Sequence, residues 1–296
     1  MNPYRRPSLI AAALGFCLTL IGVTSAQEVL PDGVPEAFES DWDFYPDVID
    51  GAHSSTFVDL GFADHLPLQD FPTRYTVTIQ INQPGPHGMG SDREEVDRLN
   101  RFEDELYAKG SDAGLLPVGR IRHAGRWSIS LMGPAGAEKA LRNTAAGLET
   151  HTVEVSSQLD ADWSFYRKHL LPSSERMQWI RNRRVVDILI ENQDVLDTPR
   201  PIHHWLYFAS EEALQQVQAT TTDLGFEVER SGRDGDQPDP LPWVLVVHRN
   251  DPASLKHIHA VTRKLGELAE HAGGRYDGWE TPVIRAEEAG PATQPD

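Results

Sequence analysis

The stretch "RYTVTIQINQPGPHGMGSDREEVDRLNRFEDELYAKG", residues 74–110, decides the fold class because a strand period and a helix period follow each other within it. Its first part, residues 74–82, alternates apolar and polar side chains and is rich in β-branched residues, which predicts a strand. After a glycine-rich loop, Ser91 with Glu94 three residues later is typical of a helix start, and Gly110 is typical of a helix end. Between them, apolar side chains recur at helical spacing at Val96, Leu99, Phe102 and Leu106.

The residues downstream predict four further elements: two strands of a hairpin, a helix and a last strand. Residues 115–134 predict a β-hairpin that turns at Ala124-Gly125. Residues 136–148 predict a second helix, and residues 151–160 predict a fourth strand. Strand, helix, strand, strand, helix, strand is the order of a split βαβ unit, which forms an antiparallel sheet with two helices on one face.

A second passage repeats this order with different residues. Its predicted elements are a strand at 201–209, a helix capped by Ser210, strands at 226–231 and 242–249, a long helix after Asp251-Pro252, and a last short strand at 275–283. We therefore expect an α+β protein with two ferredoxin-like (βαββαβ) domains and antiparallel sheets.

The domain organisation follows from these passages and from the composition between them. The predicted segments are a signal peptide at 1–26, a Pro- and Gly-rich linker at 27–40, an N-terminal α+β domain at 41–171, a helical connector at 172–199, a C-terminal α+β domain at 200–284 and a disordered tail at 285–296.

The first 26 residues have the pattern of a secretory signal. Arg5 and Arg6 precede an apolar run of about 15 residues, which is short beside the roughly 20 that a membrane span needs. Thr24-Ser25-Ala26 suits signal peptidase, so we expect cleavage after Ala26 and a periplasmic or secreted protein. An uncleaved anchor is the alternative.

Charge and cysteine usage exclude several classes of function. The formal net charge of −18 argues against nucleic acid and anionic membranes as partners, and it suits a basic protein partner. Removal of residues 1–26 would take away the only cysteine, Cys17, and with it any disulfide, cysteine nucleophile or thiolate metal site. No other apolar stretch is long enough to span a bilayer, so we expect a soluble exported protein without stable membrane insertion after cleavage.

Two motifs near the C-terminus carry a resemblance to a known family. They are the strand His204-Trp205-x-Tyr207-Phe208 and the closing Tyr276-Asp277-Gly278-Trp279, and the segment between residues 200 and 283 resembles the family of the regulator of ribonuclease activity B, the ribonuclease E inhibitor. Glu280 stands where a glycine is usual in that family. Residues 41–171 are similar to a bacterial domain of unknown function that often accompanies it.

The resemblance implies a cytoplasmic, acidic, cofactor-free protein that binds the scaffold region of ribonuclease E. It points to His204, Tyr207, Tyr276, Asp277 and Trp279 as the residues of a protein-binding site. For Trp279, packing against the sheet after a turn at Asp277-Gly278 is favoured over a role as a binding hot spot. An exported chain cannot meet a cytoplasmic ribonuclease. We therefore expect this chain to share the fold of the family but not its partner.

Catalytic and metal sites find little support in the sequence. His257 and His259 lie about 200° apart around a helix, and His203 and His204 alternate across a strand, so neither pair predicts a metal site and we expect no cofactor. His87 stands in a glycine-rich loop that lacks the lysine of a phosphate loop, and a flexible loop is favoured there.

Three functions remain open from the sequence. The first is an exported, acidic, non-catalytic protein that binds a protein partner, and its oligomeric state is not indicated. The second is a cytoplasmic inhibitor of ribonuclease E, if residues 1–26 are not a signal. The third is a hydrolase or metal-dependent enzyme that uses His87 and nearby acids.

Overall fold

The computed structural model describes residues 31, 33–235 and 240–287, which divide into two compact units at the Arg176–Met177 bond. The predicted signal peptide with Cys17 and most of the predicted tail lie outside the described residues. Within the described ranges, every helix is too short or too polar to span a bilayer.

The first unit is built on a six-stranded antiparallel sheet. Its elements are β1 (Trp42–Ile49), β2 (Ala52–Asp59), β3 (Thr73–Gln80), α1 (Arg93–Asp112), β4 (Leu116–His123), β5 (Arg126–Gly133), α2 (Glu138–Ala145) and β6 (Val153–Leu159). The sheet order is β1-β2-β4-β5-β3-β6, so β3 to β6 with the two helices form the predicted ferredoxin-like unit. The hairpin β1–β2 extends this sheet beyond the sequence prediction.

The core of the first unit lies between the sheet and its helices. Leu99, Phe102 and Leu106 of α1 are buried against Val77 and Trp127 of the sheet, as their helical spacing predicts. The helix begins one residue later than predicted. Asp92 caps it by accepting from the backbone N–H of Glu95 at 2.7 Å, while Ser91 donates through its hydroxyl to the Gln83 carbonyl.

The second unit has a four-stranded antiparallel sheet. Its elements are α3 (Ser174–Glu191, from Met177 onward), β7 (Arg200–Phe208), α4 (Glu211–Asp223), β8 (Glu227–Arg233), β9 (Trp243–Asp251), α5 (Leu255–His271) and β10 (Arg275–Glu280). The sheet order is β10-β7-β9-β8, which confirms the second ferredoxin-like arrangement. Ser210 caps α4 as predicted, accepting from the backbone N–H of Ala213.

The helices described for the second unit, α3, α4 and α5, pack on one face of its sheet. Helices α4 and α5 bury Leu214 and Leu265 against Leu206 and Leu245 of the central strands. Farther along the same face, α3 packs in a second cluster, whose members are Val186, Leu189, Ile202, Ala253, Ile258 and Trp279. The opposite face of the sheet carries no helix among the residues that the structure describes for this unit, and we call it the open face.

Strand β10 contains a β-bulge where the sequence suggested a turn. Tyr276 pairs with Leu206 and Trp279 pairs with His204, and the register shifts between Tyr276 and Gly278. Residues three apart on a regular strand point to opposite faces, but the extra residue of a bulge brings both aromatic rings to the helix-covered face. The Asp277-Gly278 pair therefore re-aims Trp279 and does not reverse the chain.

Two segments with other predicted roles are partly described. Phe38, in the predicted linker, is buried with its ring stacked 4.4 Å from that of Phe62. Arg285, at the start of the predicted tail, forms an isolated bridge with Asp194. The boundaries of the linker, connector and tail stay predictions.

Candidate functional site

His204 and Tyr276 form a buried polar pair beneath helix α5. His204 is fully buried on β7, and its Nδ1 lies 2.9 Å from the Tyr276 hydroxyl. Burial lowers the pKa of His204 to about 3 and raises the pKa of Tyr276 well above its usual value. Both side chains are therefore neutral at physiological pH, and the pair supports the sheet from within the core.

Trp279 is held in the core by an asparagine that the sequence reasoning missed. The indole Nε1 donates to Asn182 Oδ1 at 2.9 Å, and the Asn182 amide donates from Nδ2 to Thr262 Oγ1 at 2.7 Å. Asn182 on α3 is fully buried, and Trp279 is 3 % exposed. The available signal was one polar residue among the apolar positions of α3, between Ile180 and Val186.

Tyr207 and Asp277 lie on the open face, away from the other three predicted binding residues. Both are half-buried, and Arg275 joins them. Its guanidinium lies 5.5 Å from the Tyr207 ring centroid and 3.1 Å from Asp277 Oδ1. The structure thus separates the five residues into a buried set of three and an accessible set of two, and their role in binding stays a prediction.

The open face combines aromatic rings with carboxylates. His203, Trp205 and Tyr207 alternate along β7 with the buried residues of the core and are each half-buried. The exposed acids Glu227 and Glu229 of β8 and Glu280 of β10 lie on the flanking strands. The same strands also carry Arg230 and Arg275, which pair with Asp234 and Asp277.

One group on this face has the side chains of a metal site. His203, Glu229 and His248 each place a ligand atom within 4.8 Å of the other two, and they are the one such group within the described ranges. His203 pairs directly with His248 across β7 and β9. The sequence reasoning compared histidines within single elements, so it could not see this cross-strand pair.

The first unit has a cleft of about 580 Å³ between its β1–β2 hairpin and α1. Three stacked aromatics, Trp42, Phe57 and Tyr107, line it, with Trp42 centred 4.7 Å from Phe57 and 5.8 Å from Tyr107. At its base, Arg120 Nη1 donates to the buried carboxylate of Glu103 at 3.0 Å. Apolar walls around one ion pair are typical of small-molecule sites. The same ion pair also stabilises the core of the first unit.

This stabilising role involves Trp127. Its indole Nε1 donates to Glu103 Oε2 at 2.5 Å, and the Arg120 guanidinium lies 4.8 Å from the Trp127 ring. Glu103 thus neutralises a cation and satisfies a buried indole within the core of the first unit.

The loop that contains His87 is tied down by its own backbone. The amides of Gly88, Gly90 and Ser91 donate to carbonyls within the loop, and Gly125 donates to the Gly88 carbonyl at 2.9 Å. These N–H groups are therefore already used and do not form a phosphate cradle. The exposed His87 ring lies edge-on to His53, with centroids 4.9 Å apart.

The arginines of α3 and its start pair internally where their contacts are described. Arg176 forms an ion pair with Asp47, and Arg183 Nη1 lies 2.5 Å from Asp187 Oδ2. These two guanidinium groups are therefore neutralised by carboxylates of the chain itself.

Comparison with known families identifies both halves of the chain. Residues 179–281 match the model of the family described as regulator of ribonuclease activity B, and residues 40–171 match that of a family of unknown function. These matches confirm both resemblances: a segment similar to the regulator of ribonuclease activity B family follows a segment similar to a family of unknown function. No curated protein matches the chain.

Among solved structures, the crystal structure of an unknown protein from Galdieria sulphuraria covers 72 % of this chain and 98 % of its own, at 9 % identity and a TM-score of 0.20. A likeness of this size carries no argument about fold or function.

Proposed function

We propose that this chain is an exported, non-catalytic regulator that binds a protein partner on the open face of its second unit. The observation that carries the proposal is the match of residues 179–281 to a family named for regulating ribonuclease activity. A regulator of an enzyme can act by contact with it, and the open face is the sheet surface that the described helices of this unit leave uncovered.

The chemistry of the open face supports a basic partner. Trp205 and Tyr207 are the residue types that most often anchor interfaces, and each is half-buried by its neighbours, which lowers the entropy cost of binding. The carboxylates on the flanking strands and the net charge of −18 attract a cationic surface and raise the association rate.

Export is the second part of the proposal. Arg5, Arg6, the apolar run after them and the small residues before Gln27 support a cleaved signal, which would place the protein in the periplasm or outside the cell. The partner would then be a protein of that compartment. The alternative is that residues 1–26 are retained and the chain inhibits ribonuclease E in the cytoplasm.

The remaining alternative is an enzyme that uses His87. Two observations disfavour it. The family that the second unit matches is named for regulation, and the backbone N–H groups of Gly88, Gly90 and Ser91 near His87 already donate hydrogen bonds within the loop. If His87→Ala lowered a hydrolytic activity of the purified chain, the alternative would be favoured. Unchanged behaviour in every assay would remove it.

Site-specific crosslinking tests the docking face. A photoreactive phenylalanine analogue at Tyr207 reports on the open face, and the same analogue at Gln216 reports on the exposed side of α4 on the opposite face. In intact cells we expect one discrete crosslinked protein from position 207 and none from 216. Equal crosslinking from both positions, or none from 207, would refute the open face as the docking surface.

A further inference from the structure

We propose that His203, Glu229 and His248 bind a divalent transition-metal ion, with zinc as the best match to their chemistry. The site lies on the open face of the second unit, and it goes beyond the proposed regulatory function because it requires no protein partner. Three strands contribute one side chain each, from β7, β8 and β9.

The two histidines are placed by the strand register. His203 and His248 are direct cross-strand partners, and their rings are nearly parallel, with centroids 5.1 Å apart and an interplanar angle of 15°. Directly opposed residues on antiparallel strands keep their Cβ atoms about 5 Å apart, so two imidazoles there can converge on one ion. Their side chains are 26 % and 27 % exposed, so an ion could reach them from solvent.

Glu229 reaches the pair because of a second β-bulge. The register of β8 shifts between Val228 and Arg230, which leaves Glu229 as the extra residue. Its Oε2 lies 2.5 Å from His203 Nδ1. Its side chain is 51 % exposed, so it can rotate from this hydrogen bond to share an ion with both rings.

The donor set decides the kind of ion. Two imidazole nitrogens and one carboxylate are the protein ligands of many zinc sites, in which the fourth position holds water or another group. Mg²⁺ and Ca²⁺ prefer oxygen ligands throughout and match this set poorly. Glu227 Oε2, 3.6 Å from His248 Nε2, supplies a further acid close enough to orient that ring or to ligate in place of water.

A histidine–glutamate ion pair on an acidic surface is the simpler reading of the same contacts. An ion pair explains the 2.5 Å hydrogen bond between Glu229 and His203. It does not explain why the His248 ring stacks on His203 and also lies within reach of the Glu229 carboxylate. The two readings differ in a measurable property, which is stoichiometric binding of the metal alone.

Isothermal titration of ZnCl₂ into the untagged full chain tests the site. We expect one zinc ion per chain, with affinity weakened at least tenfold by His203→Ala and by His248→Ala. His271→Ala, at an exposed histidine on the last turn of α5, is the matched control and should bind as the wild type does. MgCl₂ should give no saturable binding.

Glu229→Gln keeps the test valid if a histidine variant fails to fold. Its side chain is half exposed on the bulge, so the substitution spares the core, and we expect at least tenfold weaker zinc binding. The proposal is overturned if the wild type binds no stoichiometric zinc. It is also overturned if these three variants bind zinc as tightly as His271→Ala.

Discussion

Asn182→Ala should strongly destabilise the second unit, because this one amide satisfies groups on three elements. Its Oδ1 accepts from Trp279 Nε1 and from Gln178 Nε2, both at 2.9 Å, and its Nδ2 donates to Thr262. Thr262 keeps a second partner, the His259 carbonyl, but the buried indole N–H loses its acceptor. An orphaned buried donor costs about 1–3 kcal/mol, and the small cavity adds to it, so we expect a loss of about 2–4 kcal/mol.

The assay is urea unfolding of the full chain, read by hydrogen exchange of peptides from residues 177–287 so that the second unit is followed by itself. Asn250→Ala, at an exposed asparagine of β9, is the matched control and should change the unfolding free energy by less than about 0.5 kcal/mol. If Asn182→Ala unfolds at the same urea concentration as this control, Asn182 does not anchor Trp279 and the structural explanation of that tryptophan fails.

Two further predictions concern buried ionisable groups. Burial lowers the pKa of His204 to about 3 from an ordinary value near 6.5. Between these two pH values His204 is therefore protonated in the unfolded chain and neutral in the folded chain. The stability of the second unit should therefore fall by up to about 1.4 kcal/mol per pH unit between pH 6.5 and 3, and His204→Leu should remove this part of the slope in denaturant titrations at several pH values; an unchanged slope would contradict the prediction. In the first unit, Glu103→Ala removes the ion-pair partner of Arg120, whose side chain is 13 % exposed, and the acceptor of the buried Trp127 indole, so it should cost about 3–5 kcal/mol in thermal or urea unfolding. The exposed helix acid Glu94, 3.3 Å from Arg98, is its control, and Glu94→Ala should cost less than about 0.5 kcal/mol; similar losses for both would refute the buried-pair argument.

The elements of both ferredoxin-like units were predictable from the sequence because their signals are local. Alternation in residues 74–82, the helical spacing of α1 and the cap at Ser210 each depend on residues within a few positions of one another. The hairpin β1–β2 escaped prediction. Burial alternates along β1, but the sequence does not show this, because the acid Asp43 is buried while the apolar Phe44 and Val48 are exposed.

The parts of the site that depend on register or on distant packing were not predictable. His203 and His248 are 45 positions apart and meet only because β7 pairs with β9 in one register. Asn182 meets Trp279 across 97 positions. The Asp277-Gly278 pair predicts a turn and forms a bulge, because glycine after an acid favours both and only the pairing with β7 distinguishes them.

The mass of the native protein in fractionated cells tests the central claim, that this regulator-like chain acts outside the cytoplasm. Intact mass spectrometry of periplasmic, membrane and cytoplasmic fractions reads both the compartment and the first residue. We predict a periplasmic or secreted species that begins at Gln27. A full-length species confined to the cytoplasm would contradict export and would favour inhibition of ribonuclease E.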